Sequence, residues 1–189
     1  ADPQVRRDMA NPYILCPEKH GYSIKQTSIK GPTYDQDFGS WSAPFIMEAI
    51  NARVVLRSNR LRRMAFGKDF SYGEAMLTGA GNGGRLKAIA LTAGLAAFAG
   101  SMILDPVRNL MNKFVLPKPG EGPSLQDQVN GFFDVELMGE NTKHEKLRVK
   151  VTGDRDHGYG CTAKMLAQAG LCLAFDLAKE DKAGGFWTP

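Results

Sequence analysis

A chain of 189 residues, 43% apolar and 23% charged, is long enough for one domain with a hydrophobic core, or one and a half small ones, and its composition is ordinary for a globular fold. A net charge of +4 permits contact with anions, such as a phosphorylated ligand or acidic lipid, but is too small to argue for nucleic acid, and no basic run is interleaved with aromatics as a single-strand binder needs. Cys16, Cys161 and Cys172 are odd in number and widely spaced, which argues against a disulfide framework and a structural metal site and fits a reducing compartment.

The chain opens "ADPQVRRDMANP", with no initiator Met, signal peptide or transit-like start, and closes "GGFWTP". Both ends read as cut from something longer. Residues 1–44 are rich in Pro, Gly and polar residues and read as an irregular lead-in with at most one short strand. Residues 45–189 read as one α+β domain. Pro44 opens a helical pattern, "FIMEAINARVVLRSNRLRRMAFG", in which Ile46, Ile50, Val54 and Leu61 follow helical spacing and Gly67 is the expected stop. Arg53, Arg57 and Arg60 recur on another face. Such a stripe is most simply a solvated charged face; the functional reading is an anion clamp, because guanidinium forks suit phosphate oxygens.

"KDFSYGEAMLT" is short and aromatic and reads as strand or extended chain. In "LTGAGNGGRLKA", Gly79, Gly81 and Gly84 fit G-x-G-x-x-G. A dinucleotide turn needs a buried parallel strand before the glycines, a helix after them, and a second strand ending in an acid ~20 residues on. Only the helix is credible. Lys68, Asp69, Ser71, Gly73 and Glu74 precede the glycines where a parallel strand would be a Val/Ile/Leu run, and the nearest later acid, Asp105, is followed by Pro106. The cluster therefore reads as a flexible loop leading into a helix.

That helix is the run from Ala88 to Leu104, "AIALTAGLAAFAGSMIL", uncharged throughout and flanked by Arg85, Lys87, Asp105 and Arg108. Its length sits at the lower limit for a membrane span, roughly 17 residues, and its Ala and Gly content weakens its transfer energy, so a full span is not expected. The alternatives are a buried helix, or one that dips into a membrane surface or packs on a partner. "LPKPGEGPS" (116–124) is a Pro/Gly connector. "GFFDVELMG" alternates Phe133, Val135 and Leu137 with Asp134 and Glu136; "LRVKVTG" alternates Leu147, Val149 and Val151 with Arg148 and Lys150. Together they predict a β-hairpin with one face buried and one wet.

In "GDRDHGYGCTAKMLAQAGLCLAFDLAKED", Leu166, Ala169, Leu173 and Leu177 predict a helix with one apolar face, capped at Thr162 or Cys161, with Lys179 and Lys182 near its end. The turn before it is the better local candidate for an anion site: backbone N–H groups and the helix dipole would point at whatever sits above Gly158 and Gly160. It reads equally as a tight turn that needs flexible glycines. Cys161, with His157 and Asp156 nearby, lacks the surroundings of a catalytic nucleophile. His20 and His144 lie in polar loops.

Five stretches in order, "APFIMEAINARVVLRSNRL", "LPKPGEGPS", "NGFFDVEL", "DRDHGYGCTAKML" and "GGFWTP", resemble the saccharopine-dehydrogenase-like oxidoreductases, in the branch of bacterial trans-acting enoyl reductases and their eukaryotic relatives. The resemblance implies that a nicotinamide-binding Rossmann half precedes this region and is absent from the chain. What remains would be the substrate-side α+β domain, with a mixed or antiparallel sheet, packed helices and one long apolar helix. NADP or NAD would be the cofactor only with that upstream half, and none would bind here otherwise. The substrates implied are lipid-like or acyl, and the location implied is peripheral, on an organelle or lipid-droplet membrane, with 85–108 as the segment that meets membrane or acidic lipid. The chain departs from the family's glycine turn with His157 where Pro is usual and Cys161 where Ser is usual.

The residues expected to serve such a site are Arg53, Arg57 and Asn59 from the long helix, and Arg155, Gly158, Gly160, Thr162 and Lys164 from the turn. Tyr159 is the acid best suited by residue type. No metal is expected. The competing expectation is a non-catalytic structural or docking subunit of a larger membrane-associated assembly, derived from this family without its dinucleotide-binding half. A binding module for an acyl or phosphopantetheine group is the third.

Overall fold

The computed structural model describes residues 2–17, 19–118, 120–178 and 184–188. Lys179 and Lys182 lie outside the described residues. The chain divides into two compact units, Ala1–Arg108 with Phe186–Pro189, and Asn109–Gly185.

The first unit begins with helix α1 (Pro3–Ala10), whose N-cap Asp2 accepts from the Gln4 N–H. Strands β1 (Thr33–Asp35) and β2 (Ser40–Pro44) follow, then α2 (Glu48–Leu61), β3 (Ala75–Gly79) and α3 (Gly81–Ile103). Helix α4 (Asp105–Phe114) follows α3 directly. The three strands form an antiparallel sheet in the order β1-β2-β3, with Tyr34 opposite Trp41 and Ala43 opposite Met76. Residues 1–44 thus hold one helix and two strands, where the sequence predicts irregular chain with at most one. These elements are too short for periodicity to show, and β2 ends on Pro44, at a position where a strand no longer needs its N–H.

The core of this unit is small. Tyr22, Ala43, Leu56 and Ala88 are its buried apolar residues, joined by Ser40, Ser42 and Asn59. Helix α2 buries Leu56 and Asn59 rather than the expected Ile46, Ile50, Val54 and Leu61; Ile46 and Ile50 are exposed. It also stops at Leu61, short of Gly67, because Arg63 and Met64 adopt positive φ of 55° and 64°. Helix α3 buries only Gly84 and Ala88, so of the two alternatives for it, a helix buried in this unit is not what forms.

The second unit holds α5 (Leu125–Asn130), β4 (Phe133–Glu140), β5 (Lys146–Gly153) and α6 (Gly160–Leu171), the last running into a π-helical turn at Cys172–Asp176. The expected hairpin forms, with Val135 opposite Val151 and Leu137 opposite Val149. On the other face Lys150 Nζ lies 2.6 Å from Asp134 and Arg148 pairs with Glu136. The apolar face is not buried: Val135, Leu137, Val149 and Val151 are all exposed, as are Leu166 (72% exposed), Leu173 and Leu177 on and after α6. Period-two and period-3.6 patterns mark which residues share a face, but not whether anything covers it. Both sheets are antiparallel, so the chain is α+β, with one long apolar helix.

Candidate functional site

The corner between β3 and α3 carries the glycine motif. Gly79 and Gly81 have φ of +101° and +65°, which only glycine adopts without strain, and Gly84 is buried against the backbone of Gly79. Thr78 Oγ1 lies 2.9 Å from the carbonyls of both Trp41 and Gly84, and the Gly79 N–H donates to Ser40 Oγ at 2.9 Å. A strand therefore does precede the glycines, and Gly81–Gly84 form the first turn of α3 rather than a flexible loop. The strand is nevertheless an antiparallel edge strand, and α3 is followed by α4 rather than by a strand ending in an acid. These residues do not fit a dinucleotide.

Between β3 and the first half of α3 runs an open groove of about 650 Å³, lined by Leu77, Thr78, Lys87, Ala90, Leu91, Gly94 and Leu95. Its size is within the range of small-molecule sites. The lining is apolar apart from Thr78, already hydrogen-bonded, and Lys87, the only charged group on it.

Two arginines of the stripe on α2, Arg53 and Arg57, bond to the chain itself, while Arg60 Nε is buried without a hydrogen-bond partner among the described residues. Arg53 donates to the Met9 carbonyl. Arg57 donates to the carbonyls of Leu15 at 2.8 Å and Phe186 at 3.4 Å. Next to it, Ser58 Oγ donates to Thr188 Oγ1 at 2.7 Å. The guanidiniums thus tie both terminal segments to α2. Asn59 is fully buried, and its amide donates to Tyr22 Oη and the Gly67 carbonyl, each at 3.1 Å, while accepting from the Phe66 N–H at 2.8 Å. It holds the corner after α2 and presents nothing to a ligand.

The turn before α6 is filled in the same way. The Asp156 carboxylate accepts from the N–H groups of Gly158 at 2.9 Å, Tyr159 at 3.1 Å and Gly160 at 2.6 Å. Those are the donors expected to hold an anion. They pull the Asp156 pKa below its ordinary value, Gly160 most of all. Helix α6 begins at Gly160, ahead of the predicted caps, and Thr162 Oγ1 instead donates to the His157 carbonyl at 2.6 Å. A Cβ on Gly160 would lie 2.9 Å from Arg155 Cβ and 3.1 Å from the Gln128 carbonyl, so this glycine serves close packing. Lys164 Nζ lies 3.9 Å from Asp154, and Cys161 is buried with its Sγ 3.5 Å from the Arg155 carbonyl. Tyr159 is 53% exposed. Arg53, Arg57 and Asn59 belong to the first unit, and Arg155, Gly158, Tyr159, Gly160, Thr162 and Lys164 to the second.

Sequence reasoning missed a polar cluster in the first unit. Glu74 accepts from Tyr72 Oη at 2.5 Å and from Asn51 Nδ2 at 2.9 Å. Burial, and then the Glu74 hydrogen bond, push the Tyr72 pKa up. The Glu48 carboxyl is also raised, chiefly by burial, with the Glu74 charge adding to it. No spacing rule links residues 48, 51, 72 and 74. It also missed α5, whose signal was present: Ser124 and Asp127 form a capping box. Among the described residues, no group of three or more His, Cys, Asp or Glu could hold a metal ion.

The fold and groove define an α+β chain that leaves apolar surface exposed, with Arg57 and the N–H donors of the turn before α6 held by the chain's own oxygens. Over its whole length the chain is 32% identical, across 205 aligned positions, to a Mycobacterium tuberculosis (strain H37Rv) protein named as a trans-acting enoyl reductase. It is 30% identical over 197 positions to a trans-acting enoyl reductase of Mycobacterium bovis and 27% identical over 200 positions to one of Mycobacterium ulcerans. In each case the match covers 100% of this chain and 47% of the relative, so the chain spans about half the length of the curated relatives it matches. No protein-family model matches the chain, and no solved structure does.

Proposed function

We propose that this chain is the substrate-side part of an NAD(P)H-dependent reductase of the saccharopine-dehydrogenase-like kind, acting on an acyl or lipid-like substrate. The observation that carries this reading is the whole-length similarity to relatives named trans-acting enoyl reductases. Two features support it. The groove beside β3 is apolar with one cation at Lys87, the chemistry that suits an acyl chain with an anionic head. The uncovered faces of the hairpin and α6 are the kind of surface that a further part of the same protein would cover. That further part is where the dinucleotide would be held, since the glycine corner here does not fit one. Leu77, Ala90, Leu91 and Leu95 would line the acyl chain.

The test is direct binding of oleate to the 189-residue chain, read by displacement of a fluorescent fatty acid. Saturable binding is expected, weakened roughly tenfold by Lys87→Ala, a loss of ~1.4 kcal/mol in a charge-assisted contact. Absence of saturable binding, or binding untouched by both Lys87→Ala and Leu91→Arg, would overturn the groove assignment. A parallel NADPH titration is expected to show no stoichiometric binding to this chain.

A second reading, a non-catalytic docking subunit of a larger assembly, draws on a different observation. Arg57 and the turn before α6 both spend their donors on the chain's own oxygens. Reductase activity reconstituted with a dinucleotide-binding partner half, and lost when these 189 residues are omitted, favours the first reading; its absence favours the second.

A further inference from the structure

Helix α3 carries two features that do not belong together in water. It is long and apolar enough to cross a membrane, and among its residues only Gly84 and Ala88 are buried. The first two turns rest on the sheet, and from Ile89 to Leu104 the helix is largely uncovered, with Ile89, Leu91, Phe98, Ile103 and Leu104 exposed. A surface helix of a globular protein shows one apolar stripe and one polar face. From Ala88 onward α3 shows no polar face: Ala, Gly, Leu, Ile, Phe and Met surround it, broken only by Thr92 and Ser101. Thr92 Oγ1 donates to the Ala88 carbonyl at 2.8 Å and Ser101 Oγ to the Phe98 carbonyl at 2.7 Å, so each hydroxyl satisfies itself on the helix's own backbone. This is how hydroxyls are accommodated where no water is available.

The helix that follows has the opposite character. On α4, Val107, Leu110, Met111 and Phe114 recur at i, i+3, i+4 and i+7 as one apolar stripe, and Leu110 and Phe114 are exposed. Arg108, Asn109, Asn112 and Lys113 take the other side. Its one acid, Asp105, is paired with Arg108 at 2.6 Å. A helix apolar all round suits the interior of an apolar medium, and a short, strongly two-sided basic helix suits its boundary with water.

Charge selects the medium. No acidic residue lies between Glu74 and Asp105, and the uncharged run is bracketed by Arg85 and Lys87 on one side and by Arg108 and Lys113 on the other. At ~1.5 Å per residue, Ala88–Leu104 is about 26 Å long, close to the ~30 Å hydrocarbon thickness of a bilayer, and basic residues bracket both its ends, an arrangement that anionic headgroups favour. A protein partner would be expected to meet one stripe, not the whole circumference.

We propose that α3 is embedded in the acyl region of a lipid bilayer with anionic headgroups, and that α4 lies along the headgroup layer with Val107, Leu110, Met111 and Phe114 turned inward and Arg108 and Lys113 toward phosphate. This extends the sequence expectation for 85–108 from surface contact to insertion, and it does not depend on the enzymatic reading. The lipid-facing groove beside α3 would then open to the acyl layer.

The test is flotation of the 189-residue chain with vesicles of phosphatidylcholine and phosphatidylglycerol, compared with phosphatidylcholine alone. The chain is expected to float with both and to resist release by high salt, because burial of α3 carries the binding. Phe98→Asp is expected to weaken it about a hundredfold, from the cost of a charge at the centre of an inserted helix. Lys113→Ala is expected to weaken binding to the anionic vesicles alone, by roughly fivefold. Phe98→Trp, which keeps an aromatic and so tests position without disrupting the fold, is expected to add fluorescence that acyl-brominated lipids quench. Failure to float, or a residue 98 tryptophan quenched by aqueous iodide and not by brominated lipid, overturns the proposal. So does a stable homodimer in lipid-free buffer that Phe98→Asp converts to monomer, which would assign α3 to a second copy of the chain.

Discussion

A Cβ built on Gly84 would lie 1.9 Å from the carbonyl oxygen of Gly79, far inside any contact that real atoms make. The end of β3 and the first turn of α3 therefore touch backbone to backbone. The obstacle is main chain, which cannot swing aside as a side chain would. Gly84→Ala is expected to destabilise the first unit by roughly 3 kcal/mol, the upper end for overpacking. Gly83→Ala, with open space at its Cβ, is expected to stay near wild type. Thermal melts of the two variants, followed by circular dichroism, check the contrast.

Asn59 closes the corner after α2. Its side chain meets the Phe66 N–H, the Gly67 carbonyl and Tyr22 Oη, and the Met64 N–H donates to its own carbonyl at 2.8 Å. Between these bonds sit Arg63 and Met64, both at positive φ. Asn59→Ala leaves buried polar groups unpaired and the strained pair unsupported. A loss of about 3 kcal/mol is expected in chemical denaturation, from roughly 1–3 kcal/mol for each unsatisfied group.

Arg57 is expected to act as a tether. Arg57→Ala removes its bonds to the Leu15 and Phe186 carbonyls. It should cost about 1–2 kcal/mol and, more tellingly, raise hydrogen exchange at residues 13–16 and 186–188. Unchanged exchange in both segments would return Arg57 to the role of a free anion ligand.

The Asp156 turn should respond to acid. Three N–H donors hold its pKa below the unfolded value of ~3.9. A lowered carboxyl stabilises the fold above the unfolded pKa, and that contribution is lost as pH falls through the folded pKa. The Gly160 amide resonance should therefore shift cooperatively at a pH below ~3.9, and Asp156→Ala should abolish that step and lower the melting temperature of the second unit at neutral pH.

Glu48 has the opposite sign. Its carboxyl is raised by burial and by the Glu74 charge, so folding favours the protonated form. The contribution is full below the unfolded value of ~4.3 and is lost as pH rises through the raised pKa. Glu48→Gln should flatten that decline in a plot of first-unit stability against pH, with the difference from wild type vanishing below ~4.

The parts of the fold that were legible have long, repetitive patterns. The alternation of Phe133, Val135 and Leu137 with Asp134 and Glu136 marks β4, and that of Leu147, Val149 and Val151 marks β5, while the pairing of Val135 with Val151 is read from the structure. β1 and β2 were missed because three to five residues cannot establish a period. The buried face of α2 was misassigned because a fully hydrogen-bonded asparagine occupies it, and Asn59 looks polar until its partners are known. Of the candidate site, the donors of Arg53, Arg57 and the glycines of the turn, read in sequence as anion ligands, bond to the chain's own oxygens, and those partners are out of reach of sequence.

By themselves, the residues settle that this is an α+β chain with an uncharged helix between basic ends, and that its G-x-G-x-x-G lacks the apolar strand and distal acid of a dinucleotide turn. Side-chain identity carries all of that. Only the tertiary structure decides that α3 is uncovered, that Gly84 must be glycine because Gly79 presses on it, and that Arg53, Arg57 and the α6 turn are held by the carbonyls of Met9, Leu15 and Phe186 and by the carboxylate of Asp156. The physical reason is that most of these partners are backbone oxygens. Every residue carries one, so no residue type announces where a donor's hydrogen bond will end.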